Sequence, residues 1–147
     1  MLVRLKRMLL PITVFIVIVA FSSFRMAGKT GTPPIFAGVA FEQAEARAER
    51  EDKPLVVDAS AGWCGPCKRM DRDTWRDDEL TAWMSRHAVP VQFDVDKEPE
   101  LAERFGVSQL PTVFVLRRGQ EVAKRTGFAP ANEMLAWLQL HAGRPDP

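Results

Sequence analysis

The chain has 147 residues, 20 of them Lys or Arg and 19 Asp or Glu, for a net charge of +1. That balance gives no basis for nucleic-acid binding or for an acidic solvating tail, and 46% hydrophobic with 27% charged residues is a globular composition rather than a disordered one. Two cysteines exclude a disulfide-stapled miniprotein and a four-thiolate zinc site.

The charge is unevenly placed. Every acidic residue lies at Glu42 or later, while Arg4, Lys6 and Arg7 open the chain ahead of an uncharged run from Met8 to Phe24, and Arg25 and Lys29 close it. A basic start followed by an apolar segment is an export pattern. At 17 residues the run is at the short end of the ~17–25 that span a bilayer. Phe21, Phe24 and Arg25 make a poor neighbourhood for cleavage after the small residues Ala20 and Ser22. Residues 1–27 are therefore expected to be a membrane anchor, held through residues 8–24 in a single pass. A cleaved signal peptide is the main alternative, and a buried core helix a lesser one. The early basic groups place the N-terminus in the cytoplasm and the remainder outside it. Without the five leading basic residues the rest carries 15 basic against 19 acidic groups, a net of −4.

Residues 28–38, with Gly28, Gly31, Pro33 and Pro34, lack periodicity and read as a linker to a domain over 39–142, followed by a tail over 143–147. Phe41, Ala44 and Ala48 fall on one face of an amphipathic helix over 41–52, which Pro54 ends. Leu55–Ser60 is a short Val-rich run expected to be a buried strand. A helix begins near Cys64, the pattern breaks over 73–78, and 79–87 looks helical again. Val89–Val95 is a second strand. Pro99–Phe105 is a short helix stopped by Gly106. Thr112–Arg117 is a third strand, joined through a turn at Arg118-Gly119-Gln120 to a return strand over 121–126. Pro130 opens a last helix to about Leu140, with Met134, Leu135 and Leu138 inward. Parallel and antiparallel pairs in one sheet follow from this order, with helices on both faces.

The chemistry is concentrated at Cys64-Gly65-Pro66-Cys67. A helix starting at Cys64 puts that sulfur among unpaired N–H groups that favour a thiolate. Cys67 lies about one turn along the same face, within reach of the first sulfur. Pro66 needs no N–H partner in a first turn, and Lys68 adds a positive charge. The expected product is an exposed nucleophile with a resolving partner behind it. Two plainer readings compete. A zinc site would need two more ligands, and His87 and His141 form no spaced pair, so no metal is expected. A purely structural bridge would close too small a loop to constrain the unfolded chain. Trp75, Trp83 and Trp137 sit at helical positions and read as packing.

Trp63–Lys68, WCGPCK after a buried strand, resembles the active site of the thioredoxin family, and the likeness runs over roughly 41–140. Asp58 stands six residues before Cys64, where the family keeps a buried acid. Leu110-Pro111-Thr112 resembles its cis-proline loop, and Gly127 also fits. The resemblance implies an α/β thioredoxin-like fold, a central mixed sheet flanked by helices, behind the N-terminal transmembrane or signal segment. It implies dithiol–disulfide exchange at Cys64 and Cys67 with Asp58 relaying a proton. Trp63, Gly65, Pro66, Leu110 and Pro111 would form the surface that docks substrate. No cofactor is implied beyond the Cys64–Cys67 disulfide. The expected partners are proteins bearing disulfides and a membrane electron donor, and a monomer is expected. The Gly-Pro dipeptide is similar to that of reducing members. A disulfide oxidase or isomerase, or a non-catalytic binding module, are the alternatives. Two departures stand out: Gln92 occupies the place where many cytosolic thioredoxins have a lysine, and no proline kinks the helix after the active site. Met70–Leu80, MDRDTWRDDEL, instead resembles exported thioredoxin-like proteins, including the outer reductase domain of the transmembrane disulfide reductase. This favours a periplasmic or otherwise extracytoplasmic domain, anchored or released.

Overall fold

A computed structural model describes residues 31–143. The expected anchor or signal segment over 1–27 and nearly all of the C-terminal tail lie outside the described residues. Among the described residues, no helix is long and apolar enough to cross a membrane.

The elements follow the hydrophobic pattern closely. Helix α1 (Phe41–Glu51) buries Phe41, Ala44 and Ala48, and ends where Asp52 turns left-handed at φ 48°. Strand β1 (Leu55–Ser60) is buried along its whole length. The short helix α2 (Gly65–Arg69) leads into a wider, π-helical turn over Met70–Thr74, and α3 (Asp78–His87) follows. Next come β2 (Val89–Asp94), α4 (Pro99–Arg104), β3 (Thr112–Arg117), β4 (Gln120–Thr126) and α5 (Ala131–His141).

The four strands form one sheet in the order β2-β1-β3-β4. β1 runs parallel to β2 and antiparallel to β3, and β3 runs antiparallel to β4. With β1 between two partners, its alternating side chains face two separate cores. Val57 and Ala59 join Phe41, Ala44, Phe93 and Phe114 on the α1 side. Val56 joins Met70, Trp75, Leu80, Met84, Val113, Met134 and Leu138 on the other. Asp58, two residues after Val56, points to that second side.

Three local features depart from the sequence pattern. First, the described part of the expected linker is not a plain tether. Pro34–Phe36 forms one 3-10 turn, and Phe36 is buried against Trp75 with ring centroids 5.3 Å apart at 82°. An edge-to-face aromatic pair of this kind is favourable beyond the area it buries, and it draws the segment onto the domain. Second, the hairpin turn has two residues rather than three. Arg118 (φ 50°) and Gly119 (φ 76°) both take the left-handed conformation that matches strand twist, and Gln120 already pairs with Arg117. Third, the pattern break after the helix is a π turn. The Trp75 N–H bonds Met70 O at 2.9 Å, five residues back, and Asp77 then caps α3 by accepting from the Leu80 N–H at 3.0 Å. The extra residue in that turn does the work that a proline kink does elsewhere: it re-aims the chain and leaves Trp75 fully buried.

Because Phe36 fills a core position, Phe36→Ala is expected to lower stability by about 3 kcal/mol in urea denaturation. A loss below about 1 kcal/mol would mean that the turn rests on the domain without holding it.

Candidate active site

Strand β1 delivers the chain to a loop at Ala61–Trp63, where the Cys64 N–H bonds Ala61 O at 3.1 Å. Cys64 then caps α2 with its own sulfur, which accepts from the Cys67 N–H at 3.2 Å. The one-turn spacing brings the two sulfurs together as expected, and they are joined as a disulfide with the Cα atoms 5.3 Å apart. The expectation of an exposed Cys64 does not hold for this state. Cys64 is 3% exposed and Cys67 2%, in a small apolar cluster with Ala61 against which Val95 and Leu110 pack. Once bonded to Cys67, the Cys64 sulfur is turned toward its partner and beneath these neighbours.

Around the disulfide the surface is mixed. Trp63 is 69% exposed, and its indole N–H donates to Asp96 Oδ2 at 2.7 Å, which fixes a large apolar ring at the surface beside Cys64. Gly65 and Pro66 are exposed in the first turn of α2. On the other side stands the Leu110-Pro111 peptide, which is cis. Its loop is tied at both ends. Pro111 O accepts from the Gly127 N–H at 2.8 Å, and Thr112 Oγ1 donates to Gln109 O at 2.7 Å. Gly127 has φ 93°, a conformation that a side chain would strain.

Asp58 lies in the core of β1, 2% exposed. Parallel pairing places Gln92 directly opposite it on β2. Gln92 Nε2 donates to Asp58 Oδ2 at 2.8 Å and to Asp71 Oδ1, on the π turn, also at 2.8 Å. Asp58 Oδ1 is buried with no hydrogen-bond partner, and so is the Trp75 indole N–H. Burial pushes the Asp58 carboxyl from its ordinary 3.8 up to about 7. The Gln92 hydrogen bond opposes the rise, the Asp71 charge adds to it, and the nearby Trp75 N–H opposes it again. The half-buried Asp71 is itself raised by burial, against the Gln92 hydrogen bond and the Arg76 charge. A carboxyl held near neutrality, with one oxygen anchored and one free, can take up or give up a proton at the pH where thiols exchange.

Comparison with known proteins agrees with this geometry. The Thioredoxin-like domain family matches residues 41–142. The chain belongs to that family. It is 33% identical over 95 residues to thioredoxin from Alicyclobacillus acidocaldarius subsp. acidocaldarius, covering 63% of this chain and 85% of the relative. Among solved structures, it is similar to the germline-specific thioredoxin Deadhead from Drosophila melanogaster at 33% identity and TM-score 0.57, covering 69% of this chain and 93% of that one. The DsbH oxidoreductase shares the fold at TM-score 0.67 and 16% identity, covering 84% of this chain and 99% of that one. This thioredoxin-like protein is a thiol–disulfide oxidoreductase. Its redox group is its own Cys64–Cys67 disulfide. Among the described residues, no group of three or more His, Cys, Asp or Glu is placed to hold a metal ion.

The fold thus brings Trp63, Cys64, Gly65, Pro66 and Cys67 together with Leu110 and Pro111, and sets Asp58 in the core on the strand that leads to them. Three participants escaped sequence reading. Asp96, which anchors Trp63, has no role in the sequence reading. Asp71 stands only as one charge within Met70–Leu80 in the sequence. Trp75 was expected to be packing, and it is, but its indole N–H also borders Asp58. A hydrophobic period carries no information about which polar atoms meet across a sheet.

The raised Asp58 carboxyl makes stability depend on pH. Below about pH 4 it is neutral in both folded and unfolded chains and contributes no slope. Between 3.8 and about 7 the folded protein keeps a proton that the unfolded chain releases, so stability falls as pH rises, and above 7 the penalty is constant. In Asp58→Asn the stability difference between pH 4 and pH 8 should shrink by about 4 kcal/mol. Equal pH dependence in variant and parent, measured by denaturant unfolding, would mean that Asp58 titrates normally.

Proposed function

We propose that the protein is a disulfide reductase of exported proteins. It is held at the outer face of the cell membrane by its N-terminal segment and recharged by a membrane dithiol donor. The observation that carries the chemistry is a Cys64-Gly65-Pro66-Cys67 disulfide at a helix start, bordered by the cis Leu110-Pro111 loop, with a buried near-neutral carboxyl at Asp58 behind it. The direction rests on the Gly-Pro dipeptide, which resembles reducing members of the family. The location rests on the basic and apolar run over residues 4–24.

In the reduced protein, the Cys64 thiolate attacks one sulfur of a substrate disulfide. The substrate S–S bond breaks, one substrate thiolate leaves, and a mixed disulfide joins Cys64 to the other. Cys67 passes its proton to the Asp58 carboxylate, and its thiolate attacks the Cys64 sulfur. The second substrate thiolate leaves and takes up a proton from Asp58. Two electrons have moved from the dithiol to the substrate, and the Cys64–Cys67 disulfide remains for the donor to reduce. The exposed Trp63 ring, Gly65, Pro66 and Leu110 supply an apolar docking surface, and the loop at Pro111 offers backbone groups to an extended substrate strand. Because Cys64 is buried in the disulfide form, the donor's thiolate needs that surface to part slightly or to be displaced by docking.

Cys64→Ser should abolish turnover of a protein disulfide, whereas Cys67→Ser should accumulate mixed disulfides on Cys64, visible as adducts on non-reducing gels. Failure of the second variant to trap substrate would reverse the assigned order of attack. The direction is tested by the reduction potential of the full chain against a glutathione buffer. The expected value is about −270 mV, that of reducing thioredoxins, and one near about −120 mV would make the protein a donor of disulfides.

A further inference from the structure

The Gln92 carboxamide joins two carboxylates, and only one of them has a place in the exchange described above. Its nitrogen carries two hydrogens, and both are used: one on Asp58 Oδ2, the other on Asp71 Oδ1, each at 2.8 Å. The two acceptor oxygens are therefore separated by no more than twice that distance. With both acids ionised, the carboxamide cannot turn over without facing its own oxygen to two carboxylates. We propose that Asp71, coupled to Asp58 through the shared Gln92 carboxamide, is a positioning residue that governs when the buried Asp58 carboxyl takes and gives up its proton during disulfide exchange. The proposal rests on the reductase reading for its purpose, but not for its test.

The argument is one of atoms and charge. Oδ2 of Asp58 is occupied as an acceptor by Gln92, so a proton on Asp58 sits on Oδ1, the buried oxygen with no partner. The bridge thus decides which oxygen presents the proton. Asp71 is half-buried whereas Asp58 is buried, so Asp71 ionises more easily and its charge resists a second one across the amide. Asp58 accordingly holds its proton to a higher pH than it would beside an uncharged residue at position 71. The groups that face Asp58 are Gln92 from β2, Asp71 from the π turn and Trp75 just after it, with the apolar Val113 opposite on β3. Asp71 is faced by Gln92 and by Arg76, whose Nε donates to Asp71 O at 3.0 Å. Cys64 and Cys67 titrate only when reduced. The π turn contributes directly, since it carries Asp71 and seats Trp75 in the core.

The test follows the Asp58 carboxyl carbon by NMR in full-length protein labelled with 13C at aspartate side chains, in the oxidised state where no thiol titrates. Asp71→Asn keeps an acceptor for Gln92 and removes the charge. The Asp58 midpoint should fall by about half to one pH unit. Asp71→Glu should bring it back toward the parent value. In the reduced protein, the pH profile for reduction of a model peptide disulfide, with dithiothreitol as donor, should shift in the same direction. An unmoved midpoint in Asp71→Asn overturns the proposal. If that variant does not fold, the parent protein decides alone: the Asp58 and Asp71 signals should each carry the other's inflection, and two independent single-step curves overturn the coupling. Because the midpoint needs no turnover, a parent protein that proves to be an oxidase would sink the reductase reading and leave this result standing.

Discussion

A carboxyl group inside a sheet core must be neutral, paired or costly, and Asp58 occupies the middle of the central strand. The rest of the second core is arranged around that constraint. The side chain opposite on β2 is an amide rather than a base, so Asp58 receives a hydrogen bond without a compensating charge. A second acid shares the same amide. Nearby, the Trp75 indole N–H is likewise buried with no hydrogen-bond partner. A lysine at position 92 would hold Asp58 ionised. Gln92 leaves it balanced near neutrality, where a small change in its surroundings, such as the opening of a disulfide, changes its protonation.

The same arrangement sets stability against function. A neutral apolar residue at position 58 would suit Val56, Val113 and Trp75 better, since an unsatisfied buried oxygen costs about 1–3 kcal/mol. The π turn carries a similar tension. It breaks the helix after five residues and gives up regular i to i+4 bonding, yet it puts Trp75 against Phe36 and Asp71 against Gln92 in one stroke. Such turns concentrate where a helix must place a functional group off its regular face.

Much of this was legible in the sequence because it follows from period and spacing. Short apolar, Val-rich runs give β1, β2 and β3 almost to the residue. Gly106 and the Arg118-Gly119 pair give two of the reversals, and the one-turn spacing of Cys64 and Cys67 gives the disulfide. Asp58 was legible as a buried acid only through its distance from the cysteines in a familiar pattern, since an Asp in a strand is as easily a solvated end. What was not legible depends on the third dimension. Phe36 sits in a stretch rich in Gly and Pro, and nothing in the sequence says that Trp75, 39 positions on, is waiting for it. The Gln92–Asp71 contact needs the strand register and the π turn together, and neither is written as a local pattern.

The burial of Cys64 shows how the parts act in sequence. In the disulfide state the sulfur is covered by Ala61, Val95 and Leu110, so the oxidised site presents Trp63 and the loop before Pro111 rather than a reactive atom. A partner therefore has to bind by surface before it can react by sulfur. Both anchors of that surface are held by hydrogen bonds, Trp63 by Asp96 and the Pro111 loop by Gly127, so in the proposed exchange little order would remain to be imposed on docking. Reactivity then depends on docking first and on proton supply second. The first is built on the exposed edge of the α2 helix and the second in the core behind it. The two are joined by β1, whose last residues lead from Asp58 to Cys64 in six steps of chain.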